Sequence, residues 1–83
     1  MQVELVSPQM ILFSGEATAV SARTTGGEIQ FLAGHAPFLG TLDDAEVRIE
    51  TATGVTRAQV HGGFVEVKDN TVILLSDDAE LTP

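Results

Sequence analysis

The sequence predicts an all-β fold of several short antiparallel strands, arranged as a sandwich or a barrel. Apolar and polar residues alternate with a period of two along much of the chain, which is the pattern of strands with one buried face. Turn-forming residues separate these stretches, and none of the first 76 residues shows helical periodicity. A length of 83 residues corresponds to a single domain, residues 1–83.

The N-terminal half contains four apolar stretches, three of which end at turn-forming residues. The first ends before Pro8, because proline has no amide donor and restricts the residue before it. The third is rich in β-branched residues but alternates weakly. The predicted strands and the residues that end them are Val3 to Leu5 with Ser7-Pro8, Met10 to Phe13 with Ser14-Gly15, Ala17 to Thr25 with Gly26-Gly27, and Glu28 to Leu32.

The C-terminal half predicts four further strands. In the first of them, Val47, Ile49 and Thr51 alternate with charged residues, which indicates one wet face. Asp69-Asn70 predicts a two-residue hairpin turn, because both residues tolerate a positive φ. The predicted strands and turns are Val47 to Thr51, the turn Thr53-Gly54, Val55 to Val60, Val65 to Val67, the turn Asp69-Asn70, and Thr71 to Leu75.

Two C-terminal segments lack alternation. The run Thr71 to Leu75 is apolar almost throughout, so we expect a strand that is covered on both faces. The acidic residues Asp77 to Glu80 favour the start of a helix, because carboxylates are stabilised at a helix N-terminus.

The charge balance restricts the partners of the chain. Twelve acidic residues and four basic residues give a formal net charge of −8. Such a field repels phosphate backbones and anionic lipid headgroups, so we expect no nucleic acid and no membrane surface as a direct partner. A basic protein surface would match the charge, although solubility alone would also explain it. No apolar run has the roughly 18–20 residues of a membrane-spanning helix, and the start does not resemble a signal peptide. We therefore expect a soluble, cytosolic chain.

Few residues are suited to catalysis or metal binding. The chain has no cysteine, which excludes a disulfide and a cysteine zinc site. His35 and His61 lack the spacing of a metal site, and we expect the His35 ring to bond the backbone of its own loop. The serines lack a nucleophile-elbow context, and no glycine-rich phosphate loop is present. The sequence therefore predicts no catalytic residue, no cofactor and no metal.

Two apolar features indicate contact with a partner. Phe64 shares a strand face with Glu66 and Lys68, so it is either the anchor of an interface or a core residue covered by a neighbouring segment. The loop Ala33 to Leu42 carries more large apolar side chains than an isolated loop needs. We expect part of them in the core and part in a contact surface.

Several segments of the chain, taken together, resemble the epsilon subunit of F-type ATP synthases. They occur in the family's order and at its spacing, and they cover nearly the whole chain. The segments are Val6-Ser7-Pro8 with Phe13-Ser14-Gly15-Glu16, Gly27-Glu28 through Phe31-Leu32 to Gly34-His35-Ala36-Pro37-Phe38, Val60-His61-Gly62-Gly63-Phe64-Val65-Glu66-Val67, and Asn70-Thr71-Val72 with Leu75-Ser76-Asp77.

The resemblance implies a flattened antiparallel β-sandwich of roughly ten short strands. It also implies a non-catalytic subunit at the foot of the central stalk. In this family the domain binds the gamma subunit and the membrane c-ring, so that proton-driven rotation is coupled to ATP synthesis. Such a subunit is a peripheral component at the cytoplasmic face of the cell membrane, without direct lipid insertion.

The resemblance also assigns candidate contact residues by position. A carboxylate near the polar loops of the c-ring could pair with a basic loop, which would give the acidic surface a use. The candidates are Gly26, Gly27 and Glu28 near the c-ring loops, His35, Ala36, Pro37, Phe38 and Thr41 near the gamma subunit and the ring, and Phe64 in the core or at the gamma subunit.

The chain departs from the family pattern at three points. Gln30 stands where the family often has glycine and Ala33 where it often has proline, so we expect a slightly less constrained loop. The family's two C-terminal helices, which inhibit ATP hydrolysis and in some relatives bind ATP, have no counterpart in the 83 residues. We therefore assign neither function.

Two other functions would make different demands on the residues. A free-standing β-sandwich that binds a small ligand such as a sugar would need an aromatic-lined groove, and the chain has four phenylalanines but no tryptophan or tyrosine. A small hydrolase would place His35 or His61 within hydrogen-bond reach of a serine and an acid.

Overall fold

The computed structural model describes all residues, 1–83, and contains ten β-strands and no helix. The strands form two five-stranded sheets, which confirms the predicted all-β sandwich. The strands are β1 Gln2–Val6, β2 Ile11–Glu16, β3 Ala19–Thr24, β4 Gly27–Leu32, β5 Phe38–Thr41, β6 Ala45–Thr51, β7 Gly54–Val60, β8 Phe64–Lys68, β9 Thr71–Leu75 and β10 Ala79–Thr82.

The two sheets have the strand orders β2-β1-β9-β8-β5, here the first sheet, and β10-β7-β6-β3-β4, here the second sheet. Every neighbouring pair is antiparallel except β1 and β9, which run parallel. The chain passes from β4, at one edge of the second sheet, to β5, at one edge of the first sheet. The segment Gly34 to Phe38, here called the Gly-His-Pro loop, therefore connects two edge strands.

The core lies between the sheets and consists of the alternate residues of each strand. Sixteen buried apolar residues form one cluster, in which Phe31 is the largest fully buried side chain. Val3 and Leu5 of β1 and Val47 and Ile49 of β6 are 0–1% exposed, as the alternation predicts. Each fully buried aliphatic or aromatic side chain of this kind contributes about 1.5–3 kcal/mol to the free energy of unfolding.

The hairpin turn between β8 and β9 confirms the prediction from Asp69-Asn70. Both residues have positive φ, 52° and 59°. These values give a two-residue turn whose twist matches the flanking strands. Its position sets the register of β8 against β9, with Lys68 opposite Thr71.

Four local predictions are wrong. Ser14-Gly15 does not turn the chain but lies within β2, because β2 pairs with β1 as far as Glu16. The turn between β6 and β7 is Ala52-Thr53, and Gly54 already belongs to β7. The residues 79–82 form a strand and not a helix, because their backbone pairs with β7. The prediction that β9 is covered on both faces also fails, since Leu75 is 51% exposed.

Gly63 is the glycine with the strictest steric requirement. Its φ is +116°, and a Cβ atom at this position would overlap the carbonyl oxygen of Leu75 on β9. The Gly63 carbonyl also accepts a hydrogen bond from the Leu42 amide at 2.9 Å, which ties the start of β8 to the end of β5. Only glycine fits this conformation and this approach of two backbones.

We predict that Gly63→Ala lowers the free energy of unfolding by about 3 kcal/mol or more, because strain and overlap occur together. Urea denaturation measures the change. Gly15→Ala is the matched control, since Gly15 has no positive φ and its added Cβ would meet only the Phe13 ring at 3.8 Å. A loss within about 1 kcal/mol is expected for the control. Equal stability of the two variants would contradict the prediction.

Candidate partner interface

The loop between β4 and β5 is held by three hydrogen bonds, one of which ties it to the turn between β8 and β9. The Gly34 amide donates to Asn70 Oδ1 at 3.0 Å, and the His35 amide donates to the Leu32 carbonyl at 3.0 Å. The His35 ring places Nδ1 2.6 Å from the carbonyl oxygen of Ala36. A ring N–H can donate to this oxygen, so the expected bond between the ring and its own loop is confirmed.

Aromatic packing attaches this loop to the core. The His35 ring meets Phe31 edge-on at a centroid distance of 5.0 Å and Phe38 edge-on at 6.4 Å. The ring centroids of Phe31 and Phe38 lie 5.5 Å apart. Edge-to-face pairs of this kind add about 0.5–1.5 kcal/mol beyond the burial of area. The histidine is therefore a structural part of the loop, while the neighbouring Ala36 and Pro37 are exposed.

The hairpin between β3 and β4 carries the first three candidate residues. Thr24 Oγ1 accepts from the Gly26 amide at 3.2 Å and donates to the Gly27 carbonyl at 3.0 Å, and Gly27 has a φ of +113°. This geometry presents Glu28 to solvent on the outer face of the second sheet. Its carboxylate lies 3.7 Å from Arg23 Nη1, and the same guanidinium lies 3.9 Å from Asp43 Oδ2.

Thr41 and Phe64 lie at the end of the sandwich that carries the hairpin between β3 and β4, here called the hairpin end. They are opposite each other in the pairing of β5 with β8. The Thr41 carbonyl accepts a hydrogen bond from the Thr25 amide at 3.1 Å, which connects β5 to the hairpin. The nine candidate residues thus form two groups. Five lie at the hairpin end, and the four of the Gly-His-Pro loop lie one length of β4 away, about 17 Å.

Phe64 is on the surface and not in the core. Its side chain is 57% exposed and points away from the buried Val65. It begins a line of apolar side chains across the outer face of the first sheet, in which each residue is the pairing partner of the next. This apolar row consists of Phe64, Leu75, Val6 and Ile11.

Sequence reasoning missed the rest of the apolar row. Leu75 and Ile11 are 51% and 62% exposed. The sequence signal for these exposed side chains is the unbroken apolar run of β9, which on its own predicts burial on both faces. The fold leaves the outer face of that run uncovered within this chain, so its exposed side chains add to the surface that Phe64 begins.

The two histidines and the serines do not form a catalytic arrangement. His61 Nε2 lies 3.9 Å from Glu80 Oε1, and Ser76 Oγ donates to the backbone carbonyl of Asp78 at 2.6 Å. No group of three or more His, Cys, Asp or Glu side chains is placed to hold a metal ion. The structure also contains no helix of the length and apolarity needed to cross a membrane.

Comparison with known proteins places the chain in one family. The model of the ATP synthase delta/epsilon chain β-sandwich domain matches residues 1–82. The chain is 49% identical over 82 residues to the ATP synthase epsilon chain of Streptomyces avermitilis, covering 98% of this chain and 66% of that relative. It is 46% identical over 82 residues to the epsilon chain of Micrococcus luteus, covering 98% of this chain and 90% of that relative.

A solved structure contains a chain with the same fold. The chain superposes with a TM-score of 0.87 and 26% identity on a chain of the mitochondrial ATP synthase of Euglena gracilis, solved by cryo-EM as OSCP/F1/c-ring in rotational state 1. The match covers 95% of this chain and 51% of that chain. This chain thus spans about two thirds of the Streptomyces relative and about half of the Euglena chain.

Two stacked five-stranded sheets define a β-sandwich domain of the ATP synthase delta/epsilon type. The chain belongs to the ATP synthase delta/epsilon family, in which its relatives are epsilon chains. The resemblance found in the sequence is confirmed.

We predict that His35→Ala lowers the free energy of unfolding by about 1–2 kcal/mol, because it removes one hydrogen bond and two aromatic contacts. Amide hydrogen exchange should become faster at residues 34–38. His61→Ala is the control, since His61 is exposed and its ring has only the 3.9 Å contact with Glu80. A change within about 0.5 kcal/mol is expected there. Unchanged exchange in the His35 variant would refute the anchoring role.

Proposed function

We propose that the chain is the non-catalytic epsilon subunit of the central stalk of an F-type ATP synthase. In this proposal it binds the gamma subunit and the c-ring and couples proton-driven rotation to ATP synthesis. It acts as a peripheral component at the cytoplasmic face of the cell membrane. The family match over residues 1–82 supports the proposal most strongly. The Euglena match, to a chain in a structure that contains F1 and a c-ring, supports it further.

The hairpin end is the proposed site of contact with the c-ring. Glu28 is exposed at this end, and Asp43 lies beside it on the other side of Arg23. The net charge of −8 gives the domain a field that attracts a basic loop and speeds its encounter. Gly26 and Gly27 let the chain reverse here without placing a side chain between Glu28 and its partner.

The apolar row is the proposed site of contact with the gamma subunit. An aromatic side chain that is more than half exposed, with aliphatic neighbours along one line, has the composition of an interface centre. The adjacent β5 contributes Leu39, which is 71% exposed on the same face. The exposed loop residues Ala36 and Pro37 extend this surface along the edge of the first sheet, while the His35 and Phe38 side chains pack on Phe31.

A rigid scaffold is required for this role. A subunit that transmits torque must not deform when its two contact surfaces are loaded. The domain has 51 backbone hydrogen bonds, of which 40 lie within its strands, and its two sheets share one core. The contact surfaces are thus parts of one packed body.

We predict that Glu28→Lys weakens attachment to the c-ring by about tenfold at low salt and leaves the fold intact, because the side chain is exposed and its ion pair is worth little. Co-purification of the variant with the gamma subunit and c-ring of the same source measures the effect. Glu80→Lys, on β10 at the opposite edge of the same sheet, is the control. Normal assembly of Glu28→Lys, without salt dependence, would count against the electrostatic contact.

We predict that Phe64→Ser raises the dissociation constant for the isolated gamma subunit by about 5- to 30-fold, because truncation of an interface anchor typically costs that much. Calorimetric titration measures it. Val55→Ser is the control, since Val55 is 46% exposed on the outer face of the second sheet. If both variants bind gamma equally well, the apolar row is not the gamma surface.

A further inference from the structure

A groove lies beside three residues of the apolar row, where β1 and β9 end. It has a volume of about 300 Å³, which is at the small end of the range for binding pockets. Phe64 and Leu75 line it as opposite residues of β8 and β9, and Val6 and Pro8 line it from the other side. The Ser76 amide donates to the Val6 carbonyl at 2.9 Å, so the ends of β9 and β1 are tied together beside the groove.

The charge of the groove is negative and uncompensated. Asp77 is the only charged residue that lines it, and no basic nitrogen lies within 4.0 Å of its carboxylate. Glu4 and Glu66, two residues farther along β1 and β8 on the same outer face, are also acidic. All three arginines belong to the second sheet, and Lys68 lies four residues from Phe64, about 13 Å along β8. The groove therefore favours a cationic occupant.

The position of the Asp77 carboxylate is restricted by its surroundings. Gly62 has a φ of +72°, and a Cβ atom there would lie 2.9 Å from Asp77 Oδ2, so the carboxylate occupies the space that a side chain would fill. Ser76 is 4% exposed, and its Oγ lies 3.1 Å from the Gly62 carbonyl oxygen and 2.6 Å from that of Asp78. The backbone that carries Asp77 is therefore held on both sides, which lowers the entropy cost of binding through it.

The aromatic ring of Phe64 distinguishes between the two basic side chains that a partner could offer. The ring belongs to a side chain that is 57% exposed. A guanidinium stacks on an aromatic face and bonds a carboxylate through two parallel N–H groups, whereas an ammonium is a strongly hydrated point charge. The methylene stem of an arginine also packs on aliphatic groups, which Leu75 and Val6 provide. This combination of groups matches arginine.

We propose that the groove receives one arginine side chain of the gamma subunit, with its guanidinium at Asp77 and its stem on Phe64 and Leu75. The inference rests on the proposed function and adds to it the chemistry of the gamma residue and a contact residue outside the apolar row, Asp77. The groove is continuous with the proposed gamma surface, because Phe64, Leu75 and Val6 belong to both.

Calorimetric titration of the Asp77→Asn variant with the gamma subunit from the same source tests the proposal. We expect about three- to tenfold weaker binding at low salt, and the difference should shrink at high salt as the ion pair is screened. Asp78→Asn is the matched control, because Asp78 is the next residue, is exposed and lies outside the groove. Both substitutions remove one charge from an exposed side chain, so circular dichroism should show an intact fold in each.

Three results of this titration overturn the proposal. Wild-type affinity of Asp77→Asn would show that an apolar side chain fills the groove, and tighter binding would show that an acidic one does. An equal loss in Asp78→Asn would show that the field of the whole domain acts on gamma, and not the Asp77 carboxylate.

Phe64→Leu tests the stacking separately, because leucine keeps an apolar side chain but has no aromatic face. We expect about two- to fivefold weaker binding of gamma. Combined with Asp77→Asn, the loss should be smaller than the product of the two single losses, since both residues act on the same guanidinium. Independent losses that multiply would contradict a shared arginine.

Two outcomes distinguish the arginine site from the proposed function. Weaker binding of Phe64→Ser together with wild-type binding of Asp77→Asn would overturn the arginine site and leave the gamma surface standing. Failure of the wild-type chain to bind gamma would remove the proposed function and the site with it. A double-mutant cycle between Asp77→Asn and neutralisation of each gamma arginine should show coupling at one residue, and an absence of coupling at every arginine would overturn the site.

Discussion

Apolar packing between the two sheets is the interaction on which every other feature depends. The chain has no disulfide and no tryptophan or tyrosine, so its stability rests on Phe31 and on aliphatic side chains from alternate strand positions. This core is one layer thick, and it leaves the outer faces to water or to partners. The apolar row on the outer face of the first sheet does not belong to that core. A small domain gains little from exposed aromatic and aliphatic groups, and their presence is best explained by a surface that a partner covers.

The passage from β4 to β6 determines how the two proposed contact surfaces lie. Pairing of Thr24 with Leu42 joins the two sheets at one corner, and Leu42 is buried there. The same crossing moves residues 44–47 away from β3. Closure of the sandwich and presentation of Glu28 are thus consequences of one backbone path. His35 closes the other end of β5 by packing on Phe31, so both ends of the β4–β5 edge are fixed to the core.

Particular residues show where sequence reasoning succeeded and where it could not. Asp69-Asn70 predicted its turn because the backbone preference is local and needs no distant partner. The strand β10 was not predicted, because a short acidic segment becomes a strand only when β7 offers its free edge. The exposure of Leu75 was also missed, since an apolar run indicates burial but does not say which face a second sheet will cover. Glu28, His35 and Phe64 remain predicted contact residues, and their division into two groups depends on the length of β4.

The sequence by itself determined the strand periodicity, the Asp69-Asn70 hairpin turn and the family to which the chain belongs. These properties follow from local backbone preferences and from the order of short motifs. Tertiary structure alone decided the parallel pairing of β1 with β9, the outward position of the apolar row and the short pairing of β3 with β6. Each of these depends on contacts between residues that are distant along the chain, for which an alternating pattern carries no information about the partner strand.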